Sequence, residues 1–188
     1  MNRVGEMDFN KQPLAVLVGP QLTRVNVKVH KQITAIGVDF LPGGMFRMLG
    51  IPMHEFFDGG FDALDFFGSE IRIINDQLQQ VSNLVEGKNI VEKFLLKQVA
   101  SVKEILPIDS AMRMLLSNNG NMTMEKAASL SCLSLKQFER KCQERIGMNP
   151  KLYARILRFS NAYRLHEASP QLSWIEIAYA FSKHLTFG

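Results

Sequence analysis

The sequence predicts an α+β protein, with a small partial antiparallel sheet and helices in the N-terminal half and an all-α C-terminal half built on a helix-turn-helix. Residues 25–30 (Val-Asn-Val-Lys-Val-His) and 36–40 alternate apolar and polar side chains with a period of two, the pattern of half-buried strands. Beyond residue 69 the apolar spacing lengthens to three and four, which is helical, and capping residues bracket several of the runs. Charge divides the chain in the same place. Residues 1–104 carry 11 basic and 12 acidic side chains, whereas residues 105–188 carry 11 and 6. The expected domains are a partial β-plus-helical regulatory or assembly domain over 1–104 and a basic helical domain over 105–188.

In the first half, residues 1–13 are polar and unpatterned, and residues 14–18 form a short apolar run closed by Gly19-Pro20. Pro42-Gly43-Gly44 ends the strand at 36–40, because proline presets φ and glycine accepts positive φ. Short helical pieces follow at 45–49 and 51–57, broken by Gly50 and Pro52. Ser69 is the expected N-cap of a helix with Ile71, Ile74, Leu78 and Val81 on one side. Gly87 is expected to break it, residues 90–102 form another helix, and Pro107 ends that one. The stretch 45–67, with Phe46, Met53, Phe56, Phe57, Phe61, Phe66 and Phe67, reads as core in preference to a ligand pocket. His54, Glu55 and Asp58 lack a second His or Cys at ligand spacing, so neither a metal nor a cofactor is expected.

In the second half, Ala111, Met112, Leu115 and Leu116 face inward on a helix over 109–116, and Thr123 caps the next. Ser134 with Gln137 is a capping box, and Leu135, Phe138, Cys142 and Ile146 give the following helix one apolar face. Lys136, Gln137, Glu139, Arg140, Lys141 and Gln143 are left facing out. Gly147 is a left-handed C-cap, and Asn149-Pro150 supplies an N-cap and a first-turn proline, so a long helix starts four residues after one stops. Tyr153, Ile156, Leu157 and Leu165 are its expected buried stripe. Ser173 with Glu176 caps a last helix carrying Ile177, Ala178 and Phe181.

At 46% hydrophobic with net charge +4, the composition suits a folded soluble chain. No signal peptide precedes Met1-Asn2-Arg3, and no apolar run approaches the ~20 residues that span a bilayer. Cys132 and Cys142 read as packed, reduced thiols, so a cytoplasmic, membrane-free location is expected. Between Lys136 and Arg164 eight basic residues stand against two acidic ones. A positive helix face of this kind suits a phosphate backbone; a solvated basic surface is the plainer alternative.

Ala127-Ala128, Ser134, Phe138 and Arg140, Gly147 and Pro150, then Tyr153, Arg155, Arg158 and Ala162 together resemble the DNA-binding domain of AraC-type (AraC/XylS family) transcriptional regulators. Residues 18–22 and 40–52 are similar to the N-terminal domain of one AraC-type subgroup. The resemblance implies a bacterial, sequence-specific regulator that lays the helix over 134–146 in the major groove of double-stranded DNA. Lys136, Gln137, Glu139 and Arg140 are the candidate base-contacting residues. Ser134, Lys141, Arg155 and Arg158 are the candidate phosphate contacts. For Arg140 the competing expectation is a surface ion pair with Glu144 one helical turn on.

Two departures from the family pattern are expected at the ends. Relatives carry further strands before the position of Leu14, and after Phe181 only seven residues stand where a second reading helix is expected. A homodimer through the N-terminal half and an unknown small-molecule effector are the expected partners besides DNA. The alternative is a regulator-derived interaction or ligand-binding fragment that dimerises without specific DNA binding. No Ser/His/Asp order, glycine-rich phosphate loop or metal cluster points to an enzyme.

Overall fold

The computed structural model describes residues 10–29, 33–99 and 102–182. In chain order these form β1 (Val16–Val18), α1 (Gly44–Leu49), a 3-10 turn (Met53–Phe56), β2 (Gly60–Asp62), α2 (Leu64–Phe67), α3 (Ser69–Leu78) and α4 (Leu84–Val99). They continue with α5 (Pro107–Ser117), α6 (Met124–Leu130), α7 (Leu135–Ile146), α8 (Pro150–Ala168) and α9 (Trp174–Ser182). The fold is α+β, with one small antiparallel sheet. Contacts divide the chain into two compact units, one holding the residues up to Asp39 with Phe56–Val102, the other Phe40–Glu55 with everything from Lys103 on. The second unit thus joins the chain from Lys103 on to a separate segment of the first half, Phe40–Glu55.

In the first unit β1 pairs antiparallel with β2, Leu17 standing opposite Phe61. The ladder extends through Gly19 N–H to Gly59 O at 3.1 Å and Ala63 N–H to Ala15 O at 3.0 Å. Asp58 locks the turn beside it. Its carboxylate accepts from the backbone N–H groups of Leu22 (2.5 Å) and Thr23 (3.0 Å), which hold its pKa below the usual carboxylate value. Gly19 is required here because a Cβ would lie 1.8 Å from Phe56 O. Phe56, Phe61 and Phe66 pack edge to face or tilted around buried Phe56, and Phe67 meets Phe94 of α4.

The strands expected at 25–30 and 36–40 are absent: described residues 25–29 and 36–40 carry no strand pairing, and His30 lies outside the described residues. Val25, Val27 and Val29 remain 62%, 71% and 53% exposed. Alternation specifies one apolar face, but a ladder also needs a neighbour, and β1 takes Gly60–Asp62 instead. Three helix limits also move. Ser69 is the first helical residue and not the cap. The chain breaks before Leu84, where Asn83 Oδ1 accepts from Glu86 N–H at 2.9 Å, so Gly87 lies inside α4. Gly87 is there for packing: a Cβ would stand 3.1 Å from Ile36 and 3.4 Å from Leu78. Pro107 opens α5 instead of closing α4, a first-turn proline whose missing N–H costs nothing.

The second unit is built on α5, α6 and α7, with Ala111, Met112, Leu115, Ala127, Phe138 and Cys142 almost fully buried. Phe138 alone removes enough apolar surface to stabilise the unit by roughly 2–3 kcal/mol. The stripe expected on α8 is only half-buried at Tyr153, Ile156, Leu157 and Leu165; Ala154 is the side chain that docks. On α9 Ile177 is buried as expected and Ala178 is exposed, while the side chain of Phe181 lies outside the described residues. Cys132 is exposed, with φ at 55°, contrary to the expectation of two packed thiols.

Candidate nucleic-acid interface

The arrangement of α6 and α7 follows from local chemistry. Thr123 Oγ1 accepts from Lys126 N–H at 3.2 Å and starts α6. After a short turn, Ser134 Oγ accepts from Gln137 N–H at 3.3 Å while Gln137 Oε1 accepts from Ser134 N–H at 3.0 Å, closing the expected capping box. Gly147 ends α7 with φ at 79° and its N–H on Gln143 O. Asn149 Oδ1 accepts from Lys151 N–H at 2.9 Å, and α8 begins. Because Ser134 is exposed and packs nothing away, Ser134→Ala is expected to remove only the cap. The cost is about 1 kcal/mol, read as a lowered thermal midpoint with unchanged helical circular dichroism at room temperature.

The inner face of α7 is fixed by Phe138 and Cys142, both fully buried, and by Ile146. Burial pushes the Cys142 thiol up to about 12, with Arg145 opposing and Glu139 adding to the rise, so it is a protonated packing group at neutral pH. The outer face carries Lys136, Gln137 and Arg140, all exposed, with Glu139 half-buried beside them. Among the described residues neither Lys136 nor Arg140 has an ion-pair partner. Glu144, the alternative partner for Arg140, is held at 2.8 Å by Lys141. Lys141 is therefore half-engaged, its side chain 39% exposed.

On α8 the two phosphate candidates separate. Arg155 is exposed, whereas Arg158 Nη1 donates to Gly120 O at 2.7 Å and ties α8 to the turn after α5. Arg145, one of the basic residues between Lys136 and Arg164, is 6% exposed and donates through Nη1 to Asp109 Oδ1 at 2.6 Å. Asp109 does more than start a helix: it is buried and also accepts from Leu106 N–H at 2.9 Å. The sequence carries a signal for both. Arg145 lies seven residues after Phe138 and three after Cys142, on the apolar stripe, and Asp109 lies three before Met112. A charge on an inward stripe marks a buried pair.

Chemically, the exposed face offers an arginine fork, a lysine and a carboxamide whose oxygen is engaged in the cap but whose NH2 is free to donate. These are the donors that match guanine O6/N7 and adenine N7 edges, and Arg155 adds a positive charge nearby in sequence. Among the described residues no cluster of three His, Cys, Asp or Glu side chains is placed to hold a metal. No helix among them is long and apolar enough to cross a membrane. Residues 2–62 match the family model described as "Domain of unknown function (DUF6597)", less than half of the 188 residues and ending before the helix-turn-helix. No curated protein matches the chain, and no solved structure does either.

Proposed function

We propose that this chain is a non-enzymatic, sequence-specific DNA-binding transcriptional regulator of the AraC type, acting in the cytoplasm, with α7 as its reading helix. One observation carries the reading. A helix capped at both ends and locked by Phe138 and Cys142 leaves Lys136, Gln137 and Arg140 exposed, with no ion-pair partner for Lys136 or Arg140 among the described residues. Lys136 and Arg140, flanked by Gln137 and Glu139, read base edges; Ser134, Lys141 and Arg155 hold phosphate and set register. Arg158 supports α8 through Gly120 and is the weaker of the two arginine contacts. A homodimer through the first unit and a small-molecule effector belong to the same proposal.

The test is a fluorescence-anisotropy titration with a pool of random duplexes at low and moderate salt. Binding is expected to weaken steeply as log salt rises. Arg140→Ala is expected to lower affinity unevenly, by about 1–3 kcal/mol at sites carrying its preferred base and little elsewhere. A uniform loss demotes Arg140 to a phosphate contact, and absence of binding at low salt ends the proposal. The second reading, an interaction fragment, is favoured by the exposed Val25, Val27, Val29 and Ile33 of the first unit. Its signature is self-association insensitive to salt.

A further inference from the structure

The second unit includes a segment that its sequence position does not suggest. Phe40–Glu55 packs with the helix-turn-helix, while the residues on both sides of it, up to Asp39 and from Phe56, belong to the first unit. Its helix α1 lies on α7. Phe46 is buried, with the Arg145 guanidinium 4.8 Å from its ring centre and Lys103 Nζ at 5.8 Å. Arg47 Nε donates to Lys103 O at 2.8 Å. Gly43, φ 77°, approaches Asp109 so closely that a Cβ would be 2.5 Å from Oδ1. The segment thus grips both members of the Asp109–Arg145 pair, and Arg145 sits in the last turn of α7.

We propose that Phe40–Glu55 is a regulatory strap on the reading helix, with Arg145 as the positioning residue through which it acts. The strap rests on the DNA-binding reading of α7 and adds its regulation. Three features make a movable strap and not only a core segment. Both of its ends run directly into the first unit, so a rearrangement there is delivered to it through the chain itself. Its six-residue helix is bounded by left-handed glycines, Gly43 and Gly50, which swing at low cost. Arg145 meets the strap through the Phe46 ring, 4.8 Å away, and donates its hydrogen bond elsewhere, to Asp109 on α5, so the strap can part from it without breaking the ion pair. Docked, the strap holds the end of α7 against α5; released, it frees that turn and weakens base readout.

Hydrogen exchange on the full chain reads this without DNA. Arg47→Ala removes the bond to Lys103 O on the outer side and leaves the core intact; Phe46→Leu removes the ring beneath Arg145 and keeps apolar bulk. Both are expected to speed exchange at the last turn of α7, residues 143–147, roughly threefold to tenfold, the equivalent of one net hydrogen bond, while the α6 amides stay unchanged. Unchanged exchange at 143–147 in both variants overturns the strap. With the duplex pool, both variants are expected to lose affinity by a similar factor at an unaltered slope of log affinity against log salt, whereas Arg155→Ala lowers that slope by about 1. By reciprocity, DNA must slow exchange at the α1 amides of the unchanged chain. DNA binding with no change at α1 overturns the strap alone. No DNA binding by the unchanged chain overturns the DNA reading, and the strap's regulatory role with it.

Discussion

Asp109→Ala is expected to destabilise the second unit by about 3–5 kcal/mol, because it leaves the Arg145 guanidinium buried without its counter-charge. Arg145 is 6% exposed and cannot reach water without moving α7 or α1. The Asp109 carboxylate also accepts the Leu106 N–H at the start of α5, so the substitution removes a helix-start acceptor at the same time. The measurement is urea unfolding followed by the fluorescence of Trp174, the single tryptophan, which reports on the second unit. A companion variant, Asp109→Leu with Arg145→Met, separates pair from place. Removing both charges is expected to recover most of the loss, since a buried pair adds little net stability over well-packed apolar groups. If Asp109→Ala costs less than about 1 kcal/mol, the pair is solvated and does not anchor the end of α7.

Gly120→Ala is the second large effect, expected at about 3 kcal/mol or more from two independent causes. The residue has φ 77°, which a side chain adopts at a cost of roughly 1–2 kcal/mol. Its Cβ would also stand 2.3 Å from Ala154 O and 3.1 Å from Ala154 C, both backbone atoms that cannot rotate away, and overpacking adds roughly 1–3 kcal/mol. Relief requires α8 to move off the turn, which breaks the Arg158–Gly120 bond. Thermal unfolding by circular dichroism measures it, with Gly37→Ala as the control because nothing lies within 4 Å of a Cβ there. Equal midpoints for the two variants would show that α8 yields easily at Ala154.

The helical half is readable wherever its information is local. Ser134 and Gln137, Gly147, Asn149 and Pro150 act on backbone groups within four residues, so their caps and stops appear in the sequence itself. The same holds for Ser173 with Glu176, whose carboxylate the Ser173 N–H and hydroxyl hold below its usual pKa. Asn83 with Glu86 is equally local and carries the same signature, but Gly87 beside it reads as a breaker and masks the start of α4.

Strands are less readable because pairing is a relation between distant segments. Valines at 25, 27 and 29 alternate better than residues 60–62, yet the latter pair, since Gly19, Asp58 and Gly59 bring that turn against β1. The sequence by itself determined the α+β class, the starts of α6, α7 and α8, the end of α7, and that Lys136, Gln137 and Arg140 face outward, because cap chemistry and the 3.6-residue period act within one helix. Only the tertiary structure decided that Arg145 pairs with Asp109, that Arg158 leaves the basic face for Gly120 O, that Glu144 takes Lys141 and not Arg140, and that Phe40–Glu55 belongs with the helix-turn-helix. Those outcomes depend on what stands across the contact, Asp109, Gly120 and Phe46, and a charge or a short helix carries no record of its partner until the chain has closed on it.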